Sequence, residues 1–186
     1  MNIVFMLEEP SMRYFLEGFI HNILPADVTV QYLVHEGKQD LEKSIPRKIR
    51  GWKVPDSFFV IVRDKDSEDP LRLKRRLVDM CVNNGRPDTL VRIAVHHLES
   101  WVLGDFSAVA RAFDKPNLVG LSGSRKYRNP DMLANASQEI MKLIPGYQKV
   151  SGAREVSKHI DHRINLSPSF NVFLSGIERL IARHYL

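Results

Sequence analysis

Phe58-Phe59-Val60-Ile61-Val62 is apolar and β-branched or aromatic throughout, and Arg63-Asp64-Lys65-Asp66-Ser67-Glu68-Asp69 follows at once. The apolar run reads as a buried strand from Ser57 to Val62. On an extended chain, carboxylates at i and i+2 point to the same side. Asp64 and Asp66 would then sit together at the carboxyl end of a buried strand. Packing does not call for that arrangement, and like charges held together cost energy unless a cation or a base relieves them. A hard divalent ion such as Mg²⁺, held by one or two carboxylates, waters and a phosphate, would relieve them.

The first hundred residues alternate in character. Ile3 to Leu7 reads as a buried strand. A helix follows with Tyr14, Phe15, Phe19 and Ile20 on one face and Ser11 as its N-cap. Val28 to Val34 alternates as a second strand, and a short helix from Gln39 to Arg50 is expected to break at Pro46. After the third strand and the acidic loop, Leu71 to Met80 forms a basic amphipathic helix. Thr89 to Val95 is a fourth strand. Strand–helix alternation favours an α/β fold with a mostly parallel central sheet flanked by helices. From about residue 106 the segments Asp131 to Leu143, Ala153 to Asp161 and Asn171 to Tyr185 read as helices between Gly, Pro and Ser punctuation. The expectation is one domain, residues 1–186, with an α/β core at 1–105 and a helical C-terminal extension at 106–186 packed on it.

Composition sets limits. At 44% hydrophobic the chain can bury a core, and its net charge of +5 suits an anionic partner without requiring one. A single cysteine, Cys81, excludes an internal disulfide and reads as a small buried hydrophobe. No apolar run approaches the ~18 residues of a membrane span, and the start lacks a basic leader, so a cytoplasmic protein is expected.

In an open α/β sheet, ligands bind beyond the carboxyl ends of the strands. The first strand delivers Glu8 and Glu9 there, the third Asp64 and Asp66, and the fourth runs on to Glu99. Such a rim would bind one or two Mg²⁺ or Mn²⁺ ions, which activate a water and stabilise charge on a phosphodiester. The competing reading is a solvated acidic loop in which Ser67 or Asp69 caps the helix after Pro70.

The order strand–Glu, helix, strand, helix, strand–Asp-x-Asp resembles the Toprim domain of topoisomerases, primases and OLD-family nucleases. Val4-Phe5-Met6-Leu7-Glu8 and Val60-Ile61-Val62-Arg63-Asp64-Lys65-Asp66 carry the likeness. The chain more closely resembles an uncharacterised bacterial Toprim-like family, a domain of unknown function often encoded beside ATPases in phage-defence settings. Leu7-Glu8 with Ser11, Asp64-Lys65-Asp66, Arg92 through Asp105, Tyr147-Gln148-Lys149 and Ser167-Pro168-Ser169-Phe170 are the matching pieces. The resemblance implies a Toprim-like fold, Glu8 as catalytic general acid or base, and Asp64 and Asp66 as metal ligands. Glu99 is inferred here as a further ligand. Two positions depart from the pattern. Glu9 stands where Toprim strands continue with glycine, and Met12 stands where a second acid is common. A glutamate in the glycine place obstructs or repels a phosphate that glycine would admit.

Several groups admit two readings. His97 is a base, a metal ligand or a hydrogen-bonded, partly buried histidine; on an extended chain it would share a side with Glu99. Trp101 reads as core. Arg125, Lys126 and Arg128 flank Tyr127 in a Gly-rich setting that suits phosphate contacts and base stacking, or simply a soluble loop. Arg72, Arg75 and Arg76 share a helix face that either holds a nucleic-acid backbone or is solvated. Lys149 would bring a cation toward the acids. Ser167 and Ser169 read as the cap of the last helix. No Gly-Lys-Ser/Thr phosphate loop, Gly-x-Gly-x-x-Gly or Gly-x-Ser-x-Gly elbow is present.

The leading expectation is a Mg²⁺- or Mn²⁺-dependent nuclease or phosphodiester-processing enzyme acting on DNA or RNA, in a phage-defence setting. Its rival is a catalytically degenerate interaction subunit that binds an ATPase partner or nucleic acid. A phosphate-transfer reading of Asp-x-Asp has no other support.

Overall fold

In the computed structural model, which describes residues 1–133 and 135–185, four parallel strands form one sheet in the order β2-β1-β3-β4. They are β1 (Asn2–Leu7), β2 (Thr29–Val34), β3 (Ser57–Asp64) and β4 (Leu90–Ala94). β1 is buried at every position and pairs with β2 on one side and β3 on the other, so its continuous apolar run has covered faces to fill. Ile3, Phe5 and Leu7 enter one core and Val4 and Met6 the other; Val60 and Val62 of β3 join the first, Phe59 and Ile61 the second. That partition is the period-two alternation of a strand, expressed on both sides of the sheet.

The first core lies under α1 (Pro10–Phe19). The second lies under α2 (Lys38–Gly51) and α3 (Pro70–Val82). The later helices complete the first layer: α4 (Leu98–Val102), α5 (Phe106–Ala112), α6 (Ala136–Leu143), α7 (Lys149–Ser157) and α8 (Pro168–Tyr185). α7 packs along α1, and α8 packs against β4. Trp101 is fully buried and donates its indole N–H to the Ser169 hydroxyl at 2.8 Å. Cys81 is buried in the second core. Among the described residues no helix is long and apolar enough to cross a membrane.

Some local expectations fail for identifiable reasons. Pro46 does not break α2, which runs through it from Lys38 to Gly51. One missing N–H is tolerated because Leu41, Ile45 and Ile49 hold the helix to the sheet. Ser11 is not the cap of α1. Glu9 takes that place, Pro10 begins the helix, and the Ser11 hydroxyl turns back to the Glu9 carboxylate at 3.4 Å. The expected helix from Asp131 to Leu143 includes position 134, outside the described residues; a 3₁₀ turn, Pro130–Met132, and α6 flank it. The capping roles of Asp69 and Ser167 are present. Asp69 accepts the Arg72 N–H at 2.8 Å, and the Ser167 hydroxyl accepts that of Phe170 at 3.3 Å.

Candidate functional site

β1 connects leftward to β2, whereas β3 connects rightward to β4. The two connections therefore diverge at the carboxyl ends of β1 and β3. In open parallel sheets, ligands bind outside the strand ends at such a switch point. Leu7 pairs with Val62 at the last rung, and the next residues on each side are Glu8 and the Arg63-Asp64 pair. β3 runs two residues beyond the expected Val62, which carries Asp64 into the sheet. The Glu8 carboxylate accepts the Asp64 backbone N–H at 3.2 Å. Both side chains are buried, with 8% and 7% of their surfaces exposed.

Burial first, and then the Asp64 charge, pushes the Glu8 carboxyl up to about 7. Glu8 thus holds a proton in the range where a general acid or base is useful. Burial likewise pushes Asp64 up, while His97 and Lys149 pull it down. His97 Nδ1 lies 3.6 Å from Asp64 and 3.8 Å from Asp66. The Asp64 carboxylate holds the His97 imidazole above its usual value, against the burial that would lower it.

Asp66 reaches the site by a route that strand geometry does not predict. β3 ends at Asp64, and Asp66 has a left-handed backbone, φ 51°. The i, i+2 argument for an extended chain therefore does not apply to this pair. The two carboxylates nevertheless meet around His97, because the Lys65 and Asp66 N–H groups bond to the carbonyls of Ala94 and His96. The same limit holds for His97 and Glu99. β4 ends at Ala94 and His96 has φ 64°, so His97 is the N-cap of α4 and Glu99 lies in its first turn. Glu99 is 1% exposed and accepts the Ser137 hydroxyl at 3.0 Å, so it sits beneath α6 rather than open at the rim. Its charge still helps to raise His97 and Lys149. Beside it, the buried Tyr147 hydroxyl has no hydrogen-bond partner among the described residues.

Cations close the rim. Lys149, the first residue of α7, reaches Glu9 at 2.5 Å and Asp64 at 3.9 Å. Burial opposes its charge, but Asp64, Glu9 and Glu99 outweigh burial and hold it above its usual value. Lys38, at the start of α2, lies 3.2 Å from Asp66. Arg63 is fully buried, 2.6 Å from Glu68, 3.3 Å from Glu42 and 3.8 Å from Asp66. Sequence reasoning passed over Arg63 and Lys38. An arginine between an apolar strand and two acids was the available signal for Arg63; nothing local marks Lys38. Among the described residues no group of three His, Cys, Asp or Glu side chains stands ready to hold a metal ion.

The remaining basic residues divide. Arg76 is paired with Glu42 at 2.9 Å and Glu68 at 3.0 Å, and Lys126 with Glu139. Tyr127 does not offer a stacking face. It is buried edge-on against Phe106, with ring centroids 5.0 Å apart. Arg72, Arg75, Arg125 and Arg128 are exposed and have no carboxylate at ion-pair distance among the described residues.

Residues 7–178 match the family described as a domain of unknown function, DUF4276. The chain is also similar in fold to a solved structure, the C-terminal region of the Burkholderia pseudomallei OLD protein. That likeness has a TM-score of 0.56 and 15% sequence identity, covering 97% of this chain and 98% of that one. A search of the curated proteins returns no match. With nearly its whole length matched, the chain belongs to the DUF4276 family.

Proposed function

We propose that this DUF4276 protein processes phosphodiester bonds in nucleic acid at the carboxyl ends of β1 and β3, with a divalent cation as cofactor. The observation that carries the reading is Glu8. It is a carboxyl with a pKa near 7, bonded to the backbone of a second buried carboxylate where two parallel strands part. The donor chemistry suits Mg²⁺ or Mn²⁺. Asp64 and Asp66 offer hard oxygens, and the charges around them come from His97, Lys149, Lys38 and Arg63. Asp64 and Asp66 would hold the ion, with Glu99 behind them. When bound, such an ion lowers the pKa of its water and stabilises charge on a phosphodiester.

This chain's own groups do the rest. Glu8 moves a proton to or from the reacting oxygen. His97 orients Asp64. Lys149 and Lys38, displaced from the carboxylates, become counter-charges for a phosphate, and Arg72, Arg75, Arg125 and Arg128 are free to take backbone contacts. Cleavage of plasmid, single-stranded DNA and RNA in Mg²⁺ or Mn²⁺ tests this. Glu8→Gln, Asp64→Asn and Asp66→Asn should each lower the rate by about 10² or more with the fold retained. Cleavage that survives chelation, or that those variants leave intact, would refute it.

The Glu9–Lys149 ion pair favours a second reading. It fills the place where the Toprim pattern has glycine, and with Lys149 also on Asp64 it neutralises the rim from within. A chain held in that state would be a non-catalytic subunit that binds nucleic acid or an ATPase partner. Tight binding without cleavage under any divalent ion would select it.

A further inference from the structure

β4 is an edge strand, paired with β3 alone. The Lys65 N–H donates to the Ala94 carbonyl, so the backbone groups of Arg92 and Ala94 face β3 and those of Val91, Ile93 and Val95 face outward. Three outward groups are taken: the Val95 N–H by Ser169 Oγ at 3.3 Å, the Val95 carbonyl by the His97 N–H at 3.2 Å, and the Val91 carbonyl by Arg92 Nη1 at 2.8 Å. The N–H and C=O of Ile93 have no partner among the described residues. A groove of about 260 Å³ runs along this edge between α3 and the first turns of α8. It touches Val91, Arg92 and Ile93 in succession, as only a groove along a strand's edge can. Its lips carry Leu71, 70% exposed, and Val172, 52% exposed.

Arg92 also lines a second cleft, of about 220 Å³, whose far wall holds Arg179 and Arg183. The two hollows therefore share Arg92 in their walls. Arg92 is 8% exposed and donates Nε to the Val172 carbonyl at 3.0 Å. Lys74, Arg92, Arg179 and Arg183 have no carboxylate at ion-pair distance among the described residues. Burial first, and then their neighbouring cations, hold Lys74 and Arg92 below their usual values. The two acids nearby are occupied. Asp131 accepts from Ser167 and Ser169, and Asp88 lies 3.9 Å from Arg86.

We propose that this groove receives an extended segment of a partner protein, apolar where it lies along Ile93 and acidic where it passes Arg92, Lys74 and Arg179. Uncompensated cations beside an apolar trench call for an occupant that is acidic and apolar in adjacent parts. The free backbone pair on Ile93 is complementary to another peptide, by strand addition. Nucleic acid fits less well, because the trench offers no aromatic ring for a base. The site is separate from the acidic rim and does not depend on what that rim does.

Fluorescence anisotropy with labelled ten-residue peptides tests the proposal. One peptide joins a half that alternates valine and serine to a half of glutamates; a second replaces the glutamates with lysines; a twenty-nucleotide oligothymidine is the third probe. The full chain is compared with Leu71→Glu, Lys74→Glu and Arg179→Glu, all at exposed positions and each checked by thermal melting. The acidic peptide should bind saturably, the lysine peptide at least about tenfold more weakly, and each variant should weaken the acidic peptide by about tenfold. No saturable binding of the acidic peptide, equal binding of both peptides, indifference to the three substitutions, or oligothymidine binding through these residues in place of the peptide would each overturn it.

Discussion

Glu8 accepts a hydrogen bond from the backbone of Asp64, 56 residues away in sequence, at 3.2 Å. That bond joins the ends of β1 and β3 where their onward connections diverge, so one proton-holding carboxyl and one buried carboxylate stand side by side at the rim of the sheet. Burial raises the cost of ionising both groups, and the Asp64 charge raises that of Glu8 further.

The pH dependence of stability should carry Glu8's signature. Its pKa rises from 4.5 when unfolded to about 7 when folded, so the folded state binds the proton more tightly. The associated stability is fully present below about pH 4.5 and is lost as pH rises through about 7. Glu8→Gln keeps the shape and removes the titration. Denaturant unfolding at pH 8 should find this variant more stable than the parent by roughly 2–3 kcal/mol, with little difference at pH 4.5. A variant less stable at pH 8 would mean that the ionised carboxylate is not strained there.

Asp64 should set the titration of His97. Their 3.6 Å separation holds the imidazole above its usual value. In Asp64→Asn the His97 ring resonances, followed by NMR across pH 5 to 9, should titrate lower than in the parent. An unchanged midpoint would mean that Asp64 does not hold the charged form.

Lys149 supplies the charge that lets Glu9 and Asp64 stand together. Lys149→Met leaves both carboxylates without it and should destabilise the protein by about 1–3 kcal/mol. Mg²⁺ should restore part of that loss, because an ion that binds only the folded state stabilises it. Thermal melts in chelator and in Mg²⁺ give the comparison; a deficit that Mg²⁺ does not touch would show that the lysine's place cannot be taken by a metal.

Gly18 controls where α7 sits. A Cβ at this position would lie 1.9 Å from Ser157 Oγ and 2.9 Å from the Ser157 carbonyl carbon. Backbone as well as side chain would have to move, so Gly18→Ala should cost about 1–3 kcal/mol in denaturant unfolding. α7 begins at Lys149 and ends at Ser157, so the shift should also loosen the lysine from Asp64. Ser157→Gly added to Gly18→Ala removes the side-chain part of the clash and should recover only a fraction of the loss.

β1 and β3 are legible because their apolar runs are buried on both faces, β2 is legible by its alternation although it is at most partly buried, and the sheet's parallel sense follows from strand–helix alternation. Glu8 and Asp64 were readable as strand-end acids, since strand ends converge in such a sheet. The side of Asp66 was not. It depends on a left-handed residue and on bonds to Ala94 and His96, which no local periodicity encodes. Arg63 and Lys38 were missed because their partners are acids distant in sequence or lie across the loop. Tyr127 reads as a surface ring from its neighbours, because its burial comes from Phe106, on a separate helix. Pro46 reads as a break because helix propensity is local, whereas the packing that holds α2 to the sheet is not.

Divalent binding at the rim is best measured by titrating the protein with Mn²⁺ and following free Mn²⁺ by electron paramagnetic resonance. Saturable binding that competes with Mg²⁺ and disappears in both Asp64→Asn and Asp66→Asn is expected. Binding absent from the parent, or equally present in the two variants, would leave the acids of β1 and β3 without the cation on which the proposed chemistry depends.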